Sequence, residues 1–298
     1  MTELLFKERK QKNVVIPMID ITDVILLDIT KQDILDSIAK AHKNKNFIDN
    51  LRDREGILKF DCKVRGYVGE IGIKKFLKKY GIAYSDGAVP TTFTSDVDLK
   101  IDGVLKTYTA EIKTSLIPER WSNNGTEVFV RNCINGGDIK IFRAYDTQQP
   151  NDLDRDIYIQ IYFREVKDSR EAFLSQLISK HPDILDWDNE TIYECLNYHS
   201  LIENTFFVAW IDKPRLVERL NKMPANNRTW TSDKRVFWKC KIAYSQPPSK
   251  IILFVHRTCP KCGQPLALIE KNGSYFLGCT GWKRDNTGCS YTSSIRSL

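Results

Sequence analysis

Four cysteines crowd the C-terminal end of the chain, in CPKCG at 259–263, GCT at 278–280 and GCS at 288–290. Their spacing is Cys259-x2-Cys262-x16-Cys279-x9-Cys289. Two knuckle-like pairs of thiolates within about thirty residues fit a tetrahedral structural Zn²⁺ site. So short a segment has too little core to fold alone, so metal binding is expected to supply much of its folding free energy. The second pair is wider than the usual C-x2-C. The other cysteines, Cys62, Cys133, Cys195 and Cys240, stand isolated and read as small buried residues.

Disulfides are the poorer reading, because the chain reads as cytoplasmic and its thiols as reduced. The start, MTELLFKERK, mixes charges with apolar residues and leads into no signal-like apolar stretch. No apolar run approaches the roughly 18–20 residues needed to span a bilayer. With 298 residues, 42% hydrophobic and 28% charged, there is room for one large core and a small appended module. The net charge of +7 is unevenly spread. From Lys234 to Leu298, lysine and arginine heavily outnumber Glu270 and Asp285, and the rest is close to neutral. A basic C-terminal quarter suggests contact with a polyanion, nucleic acid being the common case, though a solvated basic face fits as well.

Residues 1–60 read as an N-terminal extension. They hold an apolar stretch, VVIPMIDITDVILL, and a helix starting near Thr30, where TKQD offers a capping box with Asp33. A second helix is predicted over 64–80, stopped by Gly81. Residues 93–115 read as a β-hairpin around Asp102–Gly103, a favoured two-residue turn. Strands are expected at 138–145, 156–163, 205–211 and 236–244, with helices over 167–180 and in PRLVERLNK. This order predicts a mixed α/β domain over 61–247 with one central sheet flanked by helices. A Pro-rich break at SQPPSK (245–250) separates it from a four-cysteine module over 251–298.

On the hairpin, alternation turns Leu99, Ile101, Tyr108, Ala110 and Ile112 to one face. Asp96, Asp98 and Lys100 share the other with Thr109, Glu111 and Lys113. A tight turn would set Asp96 opposite Thr109 and Asp98 opposite Thr107. Converging carboxylates repel one another, and a divalent cation relieves that cost. Hard oxygen ligands with few other donors suit Mg²⁺. An ammonium such as Lys113 beside them can hold an attacking water or stabilise charge on a phosphorane-like transition state. Glu70, flanked by Gly69 and Gly72, offers a further carboxylate. Exposed alternating charges on a hairpin are, however, commonplace.

Gly66-Tyr67-Val68-Gly69-Glu70, then Asp98-Leu99-Lys100-Ile101, then Glu111-Ile112-Lys113 resembles the core of the PD-(D/E)XK nuclease superfamily. The resemblance covers about residues 60–165, and the proline usual before the aspartate is missing. It implies a restriction-endonuclease-like core in which Asp98 and Glu111 bind one or two catalytic Mg²⁺ ions. Lys113 would act on the water and Glu70 would assist a metal or orient Lys113. Asp96 remains an alternative to Asp98. The implied reaction is hydrolysis of a phosphodiester by an in-line water. The histidines (His42, His181, His199, His256) are scattered, so a histidine-metal site is not expected, and no phosphate-binding P-loop is present, so no nucleotide cofactor is implied.

CPKCGQPLALIEKNGSYFLGCTGW is similar to the zinc ribbon at the C-terminus of type IA DNA topoisomerases, apart from the insertion before Cys289. That likeness implies a single-strand grip in which Tyr275, Phe276, Trp282 and Tyr291 stack on bases while Lys271, Lys283 and Arg284 meet phosphates. The expectation is therefore a Mg²⁺-dependent DNA endonuclease with a structural Zn²⁺ ribbon, laid out like a prokaryotic, phage or mobile-element restriction or phage-defence enzyme. A repair, recombination or mobile-element nuclease, or a non-catalytic DNA-binding protein with a nuclease-like fold, are the alternatives. Concerted cutting of two strands usually needs two active sites, so a homodimer fits, although no interface motif is visible.

Overall fold

The structure is a computed structural model that describes residues 10–11, 14–15, 19–44, 56–87, 97–103, 106–121, 124–232, 235–255, 259, 261–262, 264, 266–271, 274–283, 285 and 287–294. In chain order, a short hairpin of β1 (Lys10–Gln11) and β2 (Val14–Val15) precedes β3 (Ile25–Leu26) and helix α1 (Lys31–Lys43). Helix α2 (Gly56–Lys79) leads into β4 (Tyr84–Asp86), β5 (Leu99–Asp102) and β6 (Thr107–Ile117). Helix α3 (Thr126–Gly136) and β7 (Ile141–Phe142) come before β8 (Ile157–Val166). Helices α4 (Lys167–Lys180), α5 (Asn189–Cys195) and α6 (Leu201–Asn204) then lead to β9 (Thr205–Asp212). Helix α7 (Lys213–Lys222), β10 (Thr229–Ser232), β11 (Arg235–Trp238) and helix α8 (Lys250–Val255) follow. The cysteine module contributes β12 (Leu266–Lys271), β13 (Ser274–Cys279) and β14 (Thr292–Ser294).

Six strands form the central sheet in the order β3–β9–β8–β6–β5–β4. Only the β6–β8 pair is parallel. The interior strands β8 and β9 bury both faces, which explains why their sequences are nearly continuous apolar runs. On one face α1 and α2 bring Ile34, Ile38, Val64, Val68, Ile73 and Leu77 onto Ala110, Ile112, Ile159 and Ile161. On the other, α3 and α7 cover Tyr158, Tyr162 and Val208 with Phe129, Cys133, Leu216 and Leu220.

The Thr30–Asp33 capping box forms as expected, opening α1 at Lys31. Gly81, at φ 68°, ends α2 in a Schellman arrangement, with Ile82 N–H bonding Leu77 O and Gly81 N–H bonding Lys78 O, both at 3.0 Å. Helix α2 starts at Gly56 rather than near Val64, because Ile57 and Phe60 extend its buried face. Two glycines let α2 lie close to its neighbours. A Cβ on Gly69 would meet Thr114 Cγ2 at 2.5 Å, and one on Gly72 would meet Leu27 Cδ1 at 2.7 Å.

Several sequence expectations need correction. Segment 138–145 yields only β7, which pairs with β11 in a separate three-stranded sheet, β10–β11–β7, rather than in the central one. Both edges of β8 are already taken by β6 and β9, so no edge remains for it there. Helix α3 is an addition to the elements expected from the sequence. Residues 1–60, read as an extension, supply edge strand β3 and the buried face of α1. At SQPPSK, read as a Pro-rich break before the cysteine module, Ser245 and Gln246 are buried, Gln246 exchanges backbone hydrogen bonds with Trp210, and the Trp210 indole donates to Pro247 O at 2.9 Å.

Candidate functional site

Strand β5 pairs with β6 through Leu99↔Ala110, Lys100↔Thr109, Ile101↔Tyr108 and Asp102↔Thr107. The connection is therefore longer than a two-residue turn. Gly103 N–H bonds Lys106 O at 3.0 Å, and Thr107 Oγ1 donates to Asp102 Oδ1 at 2.8 Å. This register overturns the pairing of Asp98 with Thr107. Asp98 instead lies at the Glu111 end of the ladder, where its Oδ2 accepts the Ile112 N–H at 2.6 Å. The longer loop shifts every residue of the first arm along the second, which the DG signal alone did not show. Asp96 lies outside the described residues.

The predicted alternation of the two arms holds, with Leu99, Ile101, Tyr108, Ala110 and Ile112 buried. Lys113 Nζ pairs with Glu111 Oε1 at 2.7 Å, the two side chains being only partly exposed. Burial, chiefly, drives the Asp98 carboxyl up to about 7. Lys113 and the Ile112 N–H hold it down, while Glu70 and Glu111 push it further up. Glu70, from α2, is likewise raised by burial, against the pull of Lys40 and Lys74. Helix α2 and the hairpin thus bring Glu70, Asp98, Glu111 and Lys113 into one electrostatic neighbourhood.

That neighbourhood is not a closed cage. Among the described residues, the four cysteines are the one group of three or more candidate ligands that meets at metal-binding distance. Mg²⁺ usually takes one or two carboxylates and fills its shell with water and phosphate. The donor chemistry of Asp98 and Glu111 fits that habit, and a cation there would offset the burial that raises the Asp98 carboxyl. Three further residues belong to this neighbourhood. Tyr158 is the register partner of Glu111 on β8, and burial, with the Glu111 charge beside it, pushes its hydroxyl up. Lys40 Nζ lies 3.3 Å from Glu70 Oε2, and Lys74 pairs with Asp86. Only Lys74, one helical turn beyond Glu70, carried a sequence signal.

In the cysteine module, Cys259 Sγ lies 3.4 Å from Cys289 Sγ and Cys262 Sγ lies 3.3 Å from Cys279 Sγ. All four ligand atoms fall within 4.8 Å of one another, so the cluster can hold a metal ion such as zinc. No disulfide joins them. A tetrahedral zinc with Zn–S bonds of about 2.3 Å would set its sulfurs about 3.8 Å apart, close to this spacing. Backbone bonds shape the two knuckles. Cys259 N–H bonds Gln264 O at 2.7 Å, and Gly281 N–H points at Cys279 Sγ at 3.3 Å. The nine-residue spacer is closed by Cys289 N–H bonding Gly281 O at 3.0 Å, so the insertion loops out and the last cysteine returns to the cluster.

Of the residues expected to grip DNA, Lys271, Trp282 and Lys283 are exposed, while Phe276 is partly buried. Tyr291 packs against the main core. The Tyr275 side chain and Arg284 lie outside what the structure describes. The module is fastened to the hairpin. Phe254 of α8 packs on Tyr108 and Trp210, and Cys259, Leu266, Leu277 and Cys279 join the same core cluster as β5 and β6. Of the isolated cysteines, Cys133 and Cys240 are buried and Cys62 and Cys195 only partly so. Among the described residues, no helix is long and apolar enough to cross a membrane. Comparison with protein-family models, with curated proteins and with solved structures finds no match.

Proposed function

We propose that this chain is a Mg²⁺-dependent DNA endonuclease of the restriction or phage-defence kind. The observation that carries the reading is Asp98, partly buried, accepting the Ile112 N–H and raised to about 7 beside Glu70, Glu111 and Lys113. Burying like charges together is costly, and the cost is relieved where a cation is to be bound. Asp98 and Glu111 are the residues that would hold Mg²⁺, which when bound supplies Lewis-acid activation of a water and charge neutralisation at a phosphoryl group. The Ile112 N–H fixes the Asp98 carboxylate in place. Lys113, oriented by its pair with Glu111, donates to the attacking water or to a phosphoryl oxygen as negative charge grows there. Glu70, held by Lys40, orients the water from the helix side. The cysteine module, loaded with zinc, presents Lys271, Trp282 and Lys283 to DNA.

Purified protein incubated with supercoiled plasmid and Mg²⁺ tests this directly. The wild type is expected to nick or linearise the plasmid, and Glu111→Ala and Lys113→Ala to lose about 100-fold or more of that rate. Equal cleavage by wild type and variants would sink the site assignment. No cleavage of any DNA or RNA by the wild type would leave a DNA-binding module in place of an enzyme.

A further inference from the structure

Helix α2 presents Lys63, Tyr67, Glu70 and Lys74 at successive turns, beside its buried face of Val64, Val68, Gly72 and Ile73. The eleven steps from Lys63 to Lys74, at about 1.5 Å each, make this stripe about 16 Å long. Helix α1 runs alongside and adds to it. Lys40 sits 4.0 Å over the Tyr67 ring and reaches Glu70, and Asn44 Nδ2 donates to the Tyr67 hydroxyl at 2.9 Å. Lys63 Nζ donates to Asn44 O at 2.5 Å, so the cation is held at the α1 C-terminus. Lys43 is exposed at the same end. The stripe ends at Lys74, whose partner Asp86 lies on β4, the strand next to β5 of the acidic hairpin.

We propose, resting on the reading of DNA as the partner, that this α1–α2 stripe is a backbone-phosphate track that leads a DNA strand to Asp98 and Glu111. A strand of duplex carries one phosphate per roughly 3.4 Å of axis, so about five phosphates pass along 16 Å. Cations spaced by helical turns, with an aromatic ring between them, suit contact with phosphates rather than base reading. Glu70 and Asp86 occupy Lys40 and Lys74 while no DNA is bound. One partner of each pair opens to water, Lys40 at 48% and Asp86 at 77% exposure, and that open side is where a phosphate can join or replace the carboxylate. The stripe is separate from the ribbon, whose basic and aromatic residues would grip DNA elsewhere.

The test is binding of a fluorescent duplex by anisotropy, in EDTA so that no cleavage occurs, across a range of salt. Lys40→Ala/Lys74→Ala is expected to weaken binding about tenfold and to lower the slope of log affinity against log salt by about 1.8, the value for two lost phosphate contacts. Lys40→Gln/Lys74→Gln, which keeps the side-chain stems, replaces it if alanine lowers thermal stability. Glu70→Gln releases Lys40 and is expected to tighten binding severalfold. An unchanged slope in the lysine variants, a weaker Glu70→Gln, or no duplex binding by the wild type would each overturn the track. Cleavage by the wild type in Mg²⁺ is scored separately. A reduced slope without cleavage keeps the track and removes the enzyme, whereas cleavage with an unchanged slope does the reverse.

Discussion

The two clusters of candidate metal ligands are built in opposite ways. The thiols of Cys259, Cys262, Cys279 and Cys289 sit in two knuckles shaped by backbone hydrogen bonds, and the β12–β13 hairpin sets Cys259 against Cys289 and Cys262 against Cys279. The carboxylates of Glu70, Asp98 and Glu111 come from a helix and two strands, and only packing of α2 on the sheet brings them near one another. The thiol cluster closes to ligand distance, whereas the carboxylates stay apart with lysines among them. A structural centre has to be complete because the fold of its module depends on it. A catalytic centre has to leave room for substrate and water.

Stripping the cysteine module of metal should have the largest effect, since zinc binding to such sites is worth on the order of 10 kcal/mol. Metal analysis of native protein is expected to find about one zinc per chain, lost in Cys279→Ser. Because Cys259 and Cys279 share a core cluster with the hairpin, thermal unfolding of that variant should shift the whole domain, not the module alone. An unshifted main transition would refute the idea that the two regions are fastened together. Next comes Glu111→Ala, expected to cost about 100-fold or more in plasmid cleavage while leaving zinc content intact. Loss of zinc in that variant would merge the two centres that are here held distinct.

Asp98→Asn probes the carboxylate side without DNA. The Asp98 carboxyl is raised from 3.8 to about 7, so between those values the folded state keeps a proton that the unfolded chain releases. Stability therefore falls as pH rises through this window, and the loss is complete above about pH 7. In EDTA at pH 8, Asp98→Asn should unfold later than wild type, by on the order of 2–4 kcal/mol, and match it near pH 4. A variant no more stable than wild type at pH 8 would remove the buried-charge argument. The smallest effect is expected from Gly69→Ala, whose Cβ would press on Thr114 of β6, the strand that carries Glu111 and Lys113. A cost of about 1–3 kcal/mol by denaturant unfolding is expected, and no cost would mean that α2 can slide on the sheet.

Gly66 shows how a motif and its physics separate. A Cβ there would meet nothing within 4 Å, so of the Gly66-x-x-Gly69 pair only the second glycine is required by packing. The capping box at Thr30, the Gly81 stop, the extents of β9 and α4, the faces of the hairpin and the cysteine spacing were all legible in the chain. Each depends on neighbours a few residues apart, or on a period of two, and such local rules survive into the fold. The register of Asp98 against Glu111, the burial of Ser245 and Gln246, the use of residues 25–26 as an edge strand with α1 packed on the sheet, and the placing of Lys40 beside Glu70 were not. These depend on a loop whose length the turn signal misstates and on contacts between segments far apart in the chain. Residue order alone settles which residue types line each centre. Which aspartate faces Glu111, and which cations stand around it, is settled by packing across the sheet rather than along the strand, and so becomes visible only in the folded chain.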